Sequence, residues 1–307
     1  MKDGFPAEPR EVAPNIFLGS ACNHDCLFCS EGLEDKTLSD EEIRAVIATK
    51  PDTLSIEGGE PTLDRRLPEW VRLARETGVR DIILCTNGVR LRDPDYVREL
   101  CEAGVTLFNV NFPAHLEKVF DVVTRRQGQF VGRLEAIRVL INQAGGGRVR
   151  LNCVVHRTNF AILEDYVRFV RHQFPEIFYI EFNLVKVLGY VKRRRYLVPR
   201  LDEMTPRLLA ALALMDLLKM KYICDGFPLC RLPDHEHAAI DAYKLMTGDS
   251  LYMEEKEKSP RCVGCSLGKL CAGPRADYLR IHGDGELSAS TRASAPIEAR
   301  VEMMWMR

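Results

Sequence analysis

The chain has 307 residues, 46% of them hydrophobic and 28% charged, with 43 Lys and Arg against 44 Asp and Glu. Such a composition can bury a full core, excludes a wholly disordered chain, and gives no global field to gather nucleic acid or anionic lipid. Nowhere do about 18 apolar residues run together, and the opening MKDGFPAEPREVAPN has no apolar export core, so we expect a cytoplasmic protein with no membrane partner.

From about Asn15 to Asn183 short apolar runs alternate with amphipathic segments, the pattern of repeated βα units around a parallel sheet. The expected strands are Ile16-Gly19, Thr53-Glu57, Asp81-Cys85, Leu107-Asn111, Arg150-Val155 and Phe178-Asn183. Ser39 with Glu42 reads as a capping box, Asp93-Pro94 as a cap followed by proline in the first turn, and Gly78 and Gly104 as helix stops. Six strands with five helices predict an α/β fold of the (β/α)6 partial TIM barrel type, its ligand face at the C-terminal strand ends. A basic run, Lys192 to Arg195, follows, then a helix around Pro206 to Met220 and a glycine-interrupted tail with cysteines. The expected organisation is an N-terminal extension over 1-15, the barrel over 16-200, a linker helix over 201-223, a small metal-stapled domain over 224-285 and a tail over 286-307.

Eleven cysteines in a long chain without an export signal point to metal rather than to disulfides. Cys85, Cys101 and Cys153 stand singly in apolar segments and read as small buried hydrophobes. Cys22, Cys26 and Cys29 form CxxxCxxC just after the first strand. Three thiolates can hold one corner of an iron-sulfur cube and leave one iron open for an exchangeable molecule. A zinc knuckle is the alternative, although zinc sites usually pair CxxC with a second pair or a histidine. Cys262, Cys265 and Cys271, preceded by Cys230, supply the four thiolates of a closed cluster or of a zinc ribbon, with Cys224 as a spare that could exchange with Cys230.

CxxxCxxC with Phe28 before its last cysteine, then Gly58-Gly59-Glu60-Pro61-Thr62 and Thr86-Asn87-Gly88 after the second and third strands, resembles the radical S-adenosylmethionine (SAM) superfamily. The resemblance implies a 4Fe-4S cluster on Cys22, Cys26 and Cys29, chelation of SAM at the open iron, and reductive cleavage to a 5'-deoxyadenosyl radical. It implies a SAM pocket from Phe28, Gly58, Gly59, Glu60, Pro61, Thr86, Asn87, Asn111, Asn152, Leu184 and Val185, with Glu60 accepting from the methionyl ammonium. The tail resembles the twitch domain, a shortened SPASM domain, which implies an auxiliary 4Fe-4S cluster on Cys230, Cys262, Cys265 and Cys271. The implied reaction is hydrogen abstraction from a peptide or small-molecule natural-product precursor, with flavodoxin or ferredoxin as electron donor. Asp121, Thr124 and Arg194 are expected to border that substrate. An RNA-modifying enzyme reading the Lys192 to Arg195 run, and a non-catalytic electron carrier or redox sensor, are the competing readings, and the charge balance argues against nucleic acid.

Overall fold

The computed structural model describes residues 14-33, 35-249 and 252-305. Most of the expected N-terminal extension, and the last two residues of the tail, therefore lie outside the described residues. Seven parallel strands form one sheet in sequential order: β1 (Asn15–Phe17), β2 (Thr53–Glu57), β3 (Asp81–Thr86), β4 (Leu107–Asn111), β5 (Val149–Val155), β6 (Tyr179–Leu184) and β7 (Tyr222–Asp225). Among the described residues β1 and β7 each pair with one neighbour only, so the barrel is open.

The crossovers carry helices whose ends are set by local chemistry. In α1 (Asp40–Ala48) the Ser39 side chain accepts from the Glu42 N–H while Glu42 reaches back to the Ser39 N–H. α2 (Leu67–Thr77) stops at Gly78, which is left-handed at φ 109°. In α3 (Pro94–Ala103) Asp93 caps and Pro94 opens the helix. α4 (Glu117–Thr124), α5 (Phe130–Ala144) and α6 (Leu163–Gln173) follow. Strand positions such as Leu54, Ile56, Ile82, Leu84, Val110 and Leu151 are sealed between sheet and helices, forming one continuous core.

One expectation is corrected here. The sheet does not end at the sixth strand: β7 pairs with β6 through Ile180, Glu181, Phe182 and Asn183 and straddles the boundary drawn at residue 223. Its sequence, Tyr-Ile-Cys-Asp, is too short to show a period. The preceding helix, α7 (Leu201–Leu217), starts where the linker helix was expected, and Glu286 folds back to accept from the Leu201 and Asp202 N–H groups. α8 (Ile240–Thr247), α9 (Ala276–His282) and α10 (Ala295–Trp305) complete the described tail, joined largely by short 3-10 turns.

Candidate active site

A cavity of about 460 Å³ opens over the C-terminal ends of the strands. Cys22, Cys26, Cys29 and Phe28 line one side of it, with Gly58, Gly59 and Glu60 beside them. Thr86, Asn87, Asn111, Asn152 and Leu184 continue the wall, so the sheet gathers most of the expected SAM residues from six strands onto one space. Pro61 is buried in the turn behind the wall. Val185 is also buried, its N–H bonded to the Val155 carbonyl and its own carbonyl taken by the Arg275 guanidinium.

The cysteine loop is held from three directions. On the first, the two glycines of Gly58-Gly59-Glu60 meet the backbone of residues 19-21. A Cβ on Gly59 would stand 2.3 Å from the Ala21 carbonyl oxygen, and Gly59 N–H and Glu60 N–H donate to the Gly19 and Ala21 carbonyls at 2.6 and 2.8 Å. The glycines thus admit the chain itself. On the second, the last carbonyls of α4, Val123 and Thr124, accept from the Leu27 and Asp25 N–H groups at 2.8 and 3.1 Å. On the third, Tyr190 N–H donates to the Cys29 carbonyl at 3.0 Å and the Arg194 guanidinium to the Leu27 carbonyl at 3.1 Å. Gly189 is required there, since its Cβ would lie 2.4 Å from the Cys29 and Ser30 carbonyl oxygens.

This corrects three substrate assignments. Arg194 braces the loop and stacks over Tyr190 at 4.7 Å. Thr124 is fully buried, its hydroxyl donating to the Phe120 carbonyl at 2.8 Å, and Asp121 accepts from Gly128 N–H at 3.4 Å. None of the three lines the cavity. The same contacts take Arg194 out of the basic run that motivated an RNA patch.

Glu60 is 3% exposed and is engaged chiefly by the protein. Its Oε1 accepts from Thr62 N–H (3.2 Å), the Thr62 hydroxyl (2.6 Å) and the Thr86 hydroxyl (2.6 Å), while Oε2 accepts from Asn87 N–H at 2.6 Å. One carboxylate thereby locks the β2 and β3 turns together, leaving Oε2 acceptor capacity for a ligand. Asn87 in turn donates to Asn23 Oδ1 at 2.5 Å and approaches Cys22 Sγ at 3.7 Å.

The donor set fits an iron-sulfur cluster. Burial pushes the Cys26 thiol up to about 12, with Cys29 and Cys22 adding to it, so the three sulfurs feel one another and need a cation to stay ionised together. Among the described residues no three His, Cys, Asp or Glu side chains are arranged to hold a single metal ion. His24 is buried in the loop and held neutral, its pKa lowered to about 3 by burial and by Arg133 and Arg126.

The comparisons with known proteins agree with this geometry. The family model described as Radical SAM superfamily matches residues 16-170, half of the chain. The chain belongs to the radical SAM superfamily. Its relatives include a protein named probable GTP 3',8-cyclase from Saccharolobus islandicus, 38% identical over 151 residues that cover 47% of this chain and 48% of the relative. Another of that name, from Sulfolobus acidocaldarius, is 30% identical over 196 residues, 60% of each protein. A 7,8-dihydro-6-hydroxymethylpterin dimethyltransferase from Methanocaldococcus jannaschii is 31% identical over 122 residues, 36% of this chain and 24% of the relative. The chain therefore spans about half the length of the first of these relatives. Among solved structures, anSMEcpe with bound AdoMet and Cp18Cys peptide superposes with a TM-score of 0.64 at 12% identity, covering 96% of both chains. Streptococcus suis SuiB bound to S-adenosylmethionine gives 0.53 at 13% identity, over 71% of this chain and 47% of that one. At such identities the likeness is one of fold. Membership in the superfamily implies an enzyme that uses a 4Fe-4S cluster and SAM.

The radical SAM barrel also brings to the cavity Glu57, Asn109, Asn183 and Asp225, which were not singled out in the sequence, and Cys85, which was read as a buried hydrophobe. The register shows the missed signal. Cys85 pairs with Asn109, Asn111 with Asn152, and Asn183 with Asp225, so polar residues two apart on neighbouring strands share the inner face. Lys186, Tyr252 and Glu255 close the side by β6 and β7, with Lys186 paired to Glu255 at 2.8 Å.

The tail cysteines form a second group away from the cavity. Burial raises the pKa of the Cys230 thiol, and Cys262 and Cys265 raise it further, while burial pushes Cys271 up to about 11 with Cys230 contributing. Ser290 N–H donates to Cys265 Sγ at 3.3 Å and Gly273 N–H to Cys271 Sγ at 3.4 Å. Cys224 does not exchange with Cys230: it lies in β7, 1% exposed, opposite Phe182.

Proposed function

We propose that Cys22, Cys26 and Cys29 hold the SAM-cleaving 4Fe-4S cluster, and that the chain uses SAM's 5'-deoxyadenosyl radical to abstract hydrogen from a small polar substrate. One observation carries this reading: the three thiols and the Glu60-locked turns converge on one cavity at the C-terminal ends of parallel strands. When bound, the cluster supplies one-electron chemistry at an iron without a protein ligand. The chain fixes the loop, presents the asparagine-lined wall for ribose and substrate hydroxyls, and keeps His24 uncharged beside the thiolates. The names of the relatives favour a compact fused-ring substrate such as a purine nucleotide or a pterin, and a peptide precursor is the second reading.

Cys230, Cys262, Cys265 and Cys271 are proposed as ligands of an auxiliary 4Fe-4S cluster in a twitch-like tail. Backbone N–H groups aimed at the sulfurs of Cys265 and Cys271 support this, since such bonds tune iron-sulfur centres. Flavodoxin or ferredoxin suits the electron-donor role.

Anaerobically reconstituted protein should bind close to eight irons, at about four per cluster. With dithionite it should convert SAM to 5'-deoxyadenosine, and replacing Cys22, Cys26 and Cys29 together with Ala should abolish this. Continued 5'-deoxyadenosine formation by the triple variant overturns the reading. Stimulation by GTP, by a dihydropterin or by a precursor peptide then decides the substrate class.

A further inference from the structure

Besides the three cysteines of the loop, one more described cysteine lines the cavity: Cys85, at the penultimate position of β3. Sequence reading assigns it to the core, yet β3 alternates inner and outer faces and Cys85 falls on the inner one, partly exposed to the cavity. Its sulfur lies 3.8 Å from Glu57 Oε1, at the end of β2, and accepts from Asn109 Nδ2 on β4 at 3.5 Å. Three adjacent strands therefore present a thiol, a carboxyl and an amide to the same space.

A second observation is independent of the cysteine. Asn109 is 8% exposed and lines the cavity, and its Oδ1 is buried without a hydrogen-bond partner. A buried acceptor left open is costly, so this one is set for an N–H or O–H group of a molecule that enters the cavity. The thiol sits where that molecule would be held.

We propose that Cys85 is a catalytic hydrogen-atom donor to carbon-centred radicals formed in this cavity, acting on a substrate whose N–H or O–H group bonds Asn109 Oδ1. This rests on the radical-forming reading above. The chemistry requires a protonated thiol, because only S–H carries a transferable hydrogen atom. Burial, with Glu57 next, raises the Cys85 pKa, and burial also raises that of Glu57. The cluster-binding cysteines, as thiolates, have no such hydrogen to give.

In the step, the S–H bond breaks homolytically, a C–H bond forms at the radical carbon, and a thiyl radical remains on Cys85. One electron from a low-potential donor of the reduced iron-sulfur class, and one proton relayed from solvent through the Glu57 carboxyl, restore the thiol.

The test uses the full-length reconstituted protein with SAM and dithionite in D2O, without added thiols or substrate, so that the 5'-deoxyadenosyl radical is itself quenched. The expected result is 5'-deoxyadenosine carrying one deuterium at the 5' carbon in most of the product. That label should fall at least tenfold in Cys85→Ser and Cys85→Ala and persist in Cys101→Ser, whose thiol lies on α3. Product without label from the unsubstituted protein, or undiminished label in both Cys85 variants, overturns the proposal. Absence of 5'-deoxyadenosine from the unsubstituted protein overturns the radical-forming reading and this one with it. A readout independent of the cluster is the infrared S–H band of the metal-free protein that disappears in Cys85→Ser. It should move to the S–D position in D2O, and a band that does not exchange contradicts the donor role.

Discussion

The two cysteine groups differ in their local support. Cys22, Cys26 and Cys29 lie on a loop pinned by the β2 turn, the end of α4 and the 189-194 segment, and all three supports are anchored in the continuous barrel core. Cys230 and Cys262 lie in short 3-10 turns, and Cys265 and Cys271 in the irregular segment between the second of these and α9. The barrel can hold its cysteine loop without metal. The tail shares that core through Leu229, Leu232, Leu267, Leu270 and Tyr278, and the proposed cluster would add a local staple to it, since metal binding and local folding are coupled.

The largest effect that would sharpen this contrast comes from removing ligands on each side. Cys262→Ala with Cys265→Ala should lose about half the iron and make the 224-271 region sensitive to limited proteolysis, while 5'-deoxyadenosine formation continues. The triple Ala variant of Cys22, Cys26 and Cys29 should lose SAM cleavage yet keep a protease-resistant barrel. Equal proteolytic sensitivity of both variants would break the comparison, and zinc in the tail by metal analysis would overturn the proposed auxiliary cluster.

Next in size is a pair of glycine substitutions. Gly59→Ala forces a Cβ against the Ala21 carbonyl at 2.3 Å and opens the two backbone bonds beside it. Overpacking together with those bonds should cost about 3 kcal/mol, read as a lowered denaturation midpoint and lost SAM binding. Gly264 in the tail has φ 75° and open space around its Cβ position, so Gly264→Ala should cost only about 1 kcal/mol.

Glu60→Gln removes the charge from a carboxylate that accepts four bonds and turns an amide N–H₂ toward donors. The expected loss is roughly 1.5 to 3 kcal/mol of stability and a weaker SAM affinity by equilibrium dialysis. Stability lost with affinity unchanged would make Glu60 a lock between turns and nothing more.

A further effect is acid sensitivity through His156, just after β5. It is fully buried, packs 5.4 Å from the Phe28 ring, and has its pKa lowered to about 3 by burial. Below pH 6.5 the unfolded chain takes up a proton that the folded chain refuses, so stability is lost as pH falls from 6.5 toward 3. By pH 5 the loss should reach about 2 kcal/mol from this residue, and His156→Phe should reduce the change between pH 7 and 5 in denaturant titrations by about that amount, with His24 still contributing.

Much of the barrel was legible because its signals are local. A capping box, a left-handed glycine and an apolar strand act over a few residues, and the first six strands lie within one or two residues of their expected positions. β7 was not legible, since four residues show no period and Cys224 resembled a ligand as much as a core residue. Among the described residues no helix is long and apolar enough to cross a membrane.

By itself the sequence determined the family, through three cysteines at fixed spacing and two strand-end turns, because cluster ligation and tight turns need particular residue types close together in the chain. Only the tertiary structure decided which distant groups serve the site. Arg194, Thr124 and Asp121 were expected to border the substrate; Arg194 braces the cysteine loop, and Thr124 and Asp121 bond within and just after α4. Cys85 looked like a core residue and faces the cavity. The physical reason is register: which face of a strand turns inward, and which carbonyls a guanidinium can reach, depend on how strands some twenty or more residues apart align.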